Sequence, residues 1–174
     1  GVGRTDAGIA QLIASIAIYK TNKPTESLGM AQKNLGDAQA AAGRWNDALR
    51  SYDAAGATLT QAIGARSAKV AMARLGPAIL WTKRGKWERV LTVVDGILSE
   101  AYDDAAGVLT LARFWRAAAM IELKRQPQPT VADVRTLVDA LHSDATMSAS
   151  VIGPVDGWVA SRLGVAAVQV RSAP

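Results

Sequence analysis

The chain has 174 residues and a mass of 18.2 kDa, which suits one domain or one short repeat array and excludes a multidomain enzyme. Hydrophobic residues reach 49%, but roughly a fifth of the chain is alanine and aromatics are only 5%, so close helix–helix packing must supply much of the core. A net charge of +5, a single histidine (His142) and no cysteine exclude a disulfide framework, a thiolate metal site, a thiol nucleophile and a histidine-rich zinc site.

Helical periodicity dominates. Ile9, Leu12, Ile13 and Ile16 place an apolar stripe on a first helix, with Thr5 or Asp6 as its expected N-cap. The apolar run from Ala7 to Tyr19, interrupted by Gln11 and Ser15, is too short to span a bilayer and reads as a buried helix. Lys20 to Pro24 break it. Thr25 with Glu26 caps a second helix, which Gly43 stops just after Ala42. Trp45 to Ala55 forms a third, with Ala48, Leu49, Tyr52 and Ala55 on one face. In the alanine-rich stretch Ala65 to Arg84, Gly76-Pro77 is expected to kink or split the helix, since proline clashes with the preceding turn and donates no backbone bond.

Gly85 ends that stretch, and Trp87 to Leu98 is the next helix. Asp104 to Lys124 is longer, with Val108, Leu111, Trp115 and Ala118 inward, and the Gln126-Pro127-Gln128-Pro129 linker terminates it. Thr130 caps Val131 to His142, with Asp133 completing a weak capping box. Residues 143–153 read as a loop, and Pro154 at a first helical position opens a last helix to about Val170, anchored by Trp158. The valine-rich stretch Val165 to Val170 also suits a strand, although nothing else in the chain offers it a partner.

The chain repeats itself. Gly43-Arg44-Trp45-Asn46-Asp47-Ala48-Leu49-Arg50-Ser51-Tyr52-Asp53 aligns with Gly85-Lys86-Trp87-Glu88-Arg89-Val90-Leu91-Thr92-Val93-Val94-Asp95 at an offset of 42. Glycine, a base, tryptophan, leucine and aspartate coincide. Glycine permits the left-handed backbone of a tight turn between helices, and the tryptophan is placed to cover that turn. Such periods mark arrays of helical hairpins, each burying a face against the next.

Leu35-Gly36, Gly43, Trp45, Ala48, Tyr52 and Ala55 sit at the spacing of tetratricopeptide (TPR) repeats, which this chain resembles. A second copy keeps Ala78, Trp81, Gly85 and Trp87 but puts Val90, Val94 and Ile97 at later small or aromatic positions. The offset exceeds the family's usual repeat of about 34 residues, and the closing proline is missing from both copies. The resemblance implies an all-α, right-handed superhelix of seven or eight helices spanning 1–174. Its parts would be an N-terminal helix and linker over 5–24, hairpins over 25–63, 64–100 and 104–143, and a C-terminal helix over 154–171. It also implies binding, since the inner groove of such arrays receives a peptide or a partner helix. One subclass clamps a C-terminal carboxylate with lysines and asparagines. Lys33 and Asn34 lie near the right place, but Asp37, Met72 and Gly76 depart from that clamp.

Between Gly64 and Val90 stand Arg66, Lys69, Arg74, Lys83, Arg84, Lys86 and Arg89 against Glu88 alone, a net +6. Asp95, Glu100, Asp103 and Asp104 follow without a base, so a basic patch beside an acidic one is expected. Lys83, Arg84, Lys86 and Arg89 are the expected electrostatic contact with a partner. The segment 66–89 is also the only candidate for nucleic acid, and the lack of interleaved exposed aromatics argues against it.

Catalytic patterns are few. Gly3-Arg4-Thr5-Asp6-Ala7-Gly8 is similar to the aspartate loop of tRNA pseudouridine synthases, but the strand that precedes that loop and the valine–histidine pair that follows it are missing. His142 beside Ser143 and Asp144 has no nucleophile elbow and reads as a capping or solvated histidine. The expected function is therefore a non-catalytic protein-interaction module: an accessory or scaffold subunit of a larger complex, or else a transient peptide-binding adaptor. No cofactor, metal or transmembrane helix is expected. A start at Gly1 without methionine fits a processed, targeted protein, soluble or peripheral, although tag residues or a cytoplasmic fragment would look the same.

Overall fold

The computed structural model describes residues 2–19 and 23–164, with side chains from Asp6 onward. These residues form eight helices and no strand: α1 (Val2–Tyr19), α2 (Glu26–Ala41), α3 (Trp45–Ile63), α4 (Ala68–Thr82), α5 (Trp87–Leu98), α6 (Ala106–Glu122), α7 (Val131–Ser143) and α8 (Ala149–Leu163). The fold is all-α. Consecutive helices pack on one another, and α2, α4 and α6 also touch in turn, so alternate helices form an inner layer.

Local chemistry sets the helix starts. The Thr25 hydroxyl accepts from the Leu28 N–H at 3.1 Å, and the Ser67 hydroxyl accepts from Lys69 N–H at 3.2 Å. At α7 the capping box is complete: Thr130 Oγ1 accepts from Asp133 N–H at 3.1 Å, while Asp133 accepts from the Thr130 N–H at 2.8 Å. These Thr130 bonds hold the Asp133 carboxyl below the usual carboxylate range.

The ends of α2, α4 and α6 close in one recurring way. Gly43 (φ 75°) donates to Ala40 O and Arg44 to Gln39 O, and Gly85 (φ 62°) donates to Thr82 O and Lys86 to Trp81 O. Lys124 (φ 54°) donates to Ile121 O and Arg125 to Met120 O. All three are Schellman closures, with the left-handed residue supplied by glycine twice and by lysine once.

Several sequence expectations change here. Helix α1 starts at Val2, so Thr5 and Asp6 lie inside it and neither is its N-cap; the Asp6 carboxylate instead meets Arg44 at 2.8 Å. Helix α4 runs through Gly76-Pro77 without splitting, because Leu75, Gly76, Ala78 and Leu80 are all buried and their packing keeps the segment helical. Helix α8 starts at Ala149, five residues before Pro154, because extended Ser148 acts as N-cap and its carbonyl receives the N–H groups of Val151 and Ile152. Pro154 is therefore inside the helix and residues 149–153 are not loop. Helix α8 ends at Leu163, short of the expected Val170, because left-handed Gly164 (φ 61°) is its C-cap, and Val165 to Val170 themselves lie outside the described residues.

The main core runs from α2 to α8 around Leu75, Leu80, Val94, Leu111, Phe114, Trp115 and Leu141. Phe114 meets Trp115 and Trp158 edge-on, with ring centroids 4.9 and 5.7 Å apart. Helix α1 stands outside this core. Among its described side chains only Ile9 is buried, while Ile13 and Ile18 are 51% and 76% exposed.

Candidate partner-binding site

The repeat residues meet at Tyr52. Its ring lies between Gly36 of α2 and Gly76 of α4, where an added Cβ would come within 2.7 and 2.5 Å of it. Ala48 and Ala55 are fully buried on the same helix, and Leu35 and Trp81 are buried on the inner layer. Trp45 lies over its turn, 4.0 Å from where a Cβ of Gly43 would sit. At Gly85 nothing stands within 4 Å of an added Cβ, and Trp87, like Trp45, packs partly buried against the main core.

The inner layer carries a groove of about 300 Å³ between α2, α4 and the start of α8, with Met72, Ile79, Lys83 and Val151 in its lining. Its polar side is already satisfied. The Tyr52 hydroxyl donates to Asp37 Oδ1 at 2.9 Å, and Lys33 Nζ donates to Asp37 Oδ2 at 2.7 Å. Burial first, then the Asp37 charge and hydrogen bond, push the Tyr52 hydroxyl far above its ordinary value. Lys33, the base a carboxylate clamp would use, is thus paired within its own helix. Ser148, Ser150 and Pro154 of the α8 region also line the groove, so its wall includes the chain's own C-terminal helix.

Pairing divides the basic segment in two. Arg66 meets Asp103 at 2.7 Å, Lys69 meets Glu26, and Arg74 meets Glu100 at 2.5 Å while donating to the Tyr102 hydroxyl at 3.0 Å. Asp95, the first of the acids that follow, meets Arg116 at 2.6 Å. The expected basic patch beside an acidic patch is therefore replaced, over this stretch, by ion pairs between elements.

Lys83, Arg84, Lys86 and Arg89 behave differently. All four are exposed around the α4–α5 turn, and among the described residues none has an acidic partner within ion-pair distance. The guanidinium carbons of Arg84 and Arg89 stand 5.4 and 4.5 Å from the Trp81 ring centroid. Glu88, the one acid inside the basic segment, is engaged by Arg125 through both carboxylate oxygens at 2.9 and 2.7 Å. The repeat register shows what is missing. The base after each turn glycine or its lysine substitute is Arg44, Lys86 or Arg125; Arg44 reaches back to Asp6 and Arg125 to Glu88. The position equivalent to Glu88 one repeat earlier is Asn46, which has no charge to offer Lys86.

His142 is neither a cap nor fully solvated. Its Nε2 lies 2.9 Å from Asp156 Oδ1 and ties α7 to α8, a contact invisible in the sequence because fourteen residues separate the pair. The adjacent Ser143 hydroxyl donates to the Asp139 carbonyl at 2.8 Å. Among the described residues no group of three or more histidine or carboxylate side chains is arranged to hold a metal ion, and no helix is long and apolar enough to cross a membrane. Compared with protein-family models, curated proteins and solved structures, the chain matches none.

Proposed function

We propose that this chain is a non-catalytic protein-interaction module, built as a TPR-like right-handed array and docked as an accessory or scaffold subunit on a larger assembly. The observation that supports this best is the cluster Lys83, Arg84, Lys86 and Arg89. Nine of the other described cations are paired with carboxylates within the chain. Four more, Lys23, Arg113, Lys124 and Arg135, are unpaired among the described residues but scattered in sequence, whereas these four stand together and face solvent without such a partner. Such a cluster steers and orients an acidic protein surface. The outward face of α1, with Ile13, Ala14, Ala17 and Ile18 exposed, offers apolar surface for docking.

The test is the native mass of the chain in extract from its source, followed by charge reversal at Lys86→Glu and Arg89→Glu. Co-migration with a much larger complex, weakened by the reversal and more so at low salt, is the expected result. Migration at the chain's own mass would move the reading to its alternative, a transient peptide-binding adaptor using the inner groove. Nucleic acid is the weaker alternative, because Arg66, Lys69 and Arg74 are engaged by Asp103, Glu26 and Glu100 and leave only part of the segment available.

A further inference from the structure

We infer that the α4–α5 turn is an anchor for carboxylates on an acidic segment of a partner protein, gripped by the guanidinium groups of Arg84 and Arg89 on the Trp81 ring. The inference rests on the interaction reading above and adds the chemistry of recognition. Cation–π attraction to an indole face restrains a guanidinium and leaves N–H donors free for a partner. Trp81 is itself fixed, since only 8% of it is exposed. Two planar forks held this way have lost part of their rotamer freedom before any partner arrives, which favours bidentate pairing with carboxylates.

Among the described residues nothing fills these forks. Glu88 lies between Lys86 and Arg89 in sequence, yet both of its oxygens are taken by Arg125. The repeat register supplies Asn46 where an acid would have neutralised Lys86. Lys83 adds a cation at the edge of the apolar groove beside Ile79, Leu80 and Val151, so a bound segment would find apolar surface next to the charges. A nucleic acid fits less well. Base stacking needs an open aromatic face, and the face of Trp81 is buried and approached by two guanidinium groups.

The experiment titrates the full chain with a short peptide of glutamate and leucine, its glutamine–leucine counterpart, and a single-stranded oligouridine. It follows the arginine side-chain Nε–H resonances by NMR. The glutamate peptide should shift Arg84 and Arg89 together and saturably, and the glutamine peptide should not. Arg84→Lys with Arg89→Lys keeps the charge but removes the planar forks, and should weaken the glutamate peptide about tenfold. Unchanged affinity in that double lysine variant would overturn the guanidinium anchor while leaving electrostatic docking intact. If Lys86→Glu with Arg89→Glu also left affinity unchanged, the docking reading would fall with it. Tighter binding of oligouridine than of the glutamate peptide would overturn the assignment to a protein carboxylate. Circular dichroism melts of each variant separate loss of fold from loss of binding.

Discussion

Tyr52 is where three helices are held at close range. Glycine at 36 and 76 lets α2 and α4 approach the ring from two sides, and Asp37 receives its hydroxyl. A methyl at Gly76 has nowhere to go, because the ring it would strike is itself confined by Gly36. Gly76→Ala should therefore lower stability by about 1–3 kcal/mol, the usual cost of overpacking, despite alanine's better helix propensity. Gly96 in α5 has nothing within 4 Å of an added Cβ. Gly96→Ala should accordingly raise stability by about 0.5–1 kcal/mol, and urea melts of the two variants make the comparison. The hydroxyl gives a second prediction. Its value is raised in the folded chain, so above its ordinary value near 10 the unfolded state loses a proton that the folded state keeps. Stability should fall as pH rises beyond that point, and Tyr52→Phe should flatten the fall in melts taken across the alkaline range.

At the scale of helices, the third turn explains why two repeats are legible in the sequence and the third is not. The first two turns announce themselves through Gly43 and Gly85; the third has the same backbone closure, but its left-handed residue is Lys124, which carries no turn signal. Lys124 is exposed and makes no ion pair among the described residues, so its side chain does not compensate for the strained backbone. Lys124→Gly should stabilise the chain by about 0.5–1 kcal/mol in thermal or urea melts, the relief of a left-handed non-glycine residue less the added freedom of the unfolded chain. Helix starts were legible where Thr25 and Thr130 cap them. The start of α8 was not, because Pro154 is a strong local signal for a first helical position and Ser148, the actual cap, makes no side-chain capping bond. The candidate site was legible only as charge. Sequence places all seven bases of the segment side by side. Which of them are neutralised depends on Glu26, Glu100 and Asp103, which meet Lys69, Arg74 and Arg66 only after the hairpins have packed.

For the whole molecule, the two ends differ in how they join the array. Helix α1 packs chiefly on α2, contributes Ile9 to the buried set and is pinned by one exposed ion pair, Asp6 with Arg44. Helix α8 contributes Val155, Trp158 and Val159, packs Trp158 against Phe114, and is tied to α6 and α7. Those ties are the Trp158 and Arg162 bonds to Glu122 and the bond between His142 and Asp156. In an array stabilised mainly by neighbour contacts, removing an end costs what that end buries against its neighbour. A variant lacking residues 1–24 should therefore stay helical and cooperative, losing about 1.5–3 kcal/mol for Ile9 and a smaller share for half-buried Leu12 and Ile16, since an exposed ion pair adds little. A variant lacking α8 loses three buried side chains and exposes Phe114, so it should melt far lower or lose its cooperative transition altogether. The opposite order, with α1 the more costly loss, would mean that its exposed isoleucines are covered in the protein as it exists in solution. Thermal melts of the two truncations, set beside the native mass of the full chain, read that difference directly.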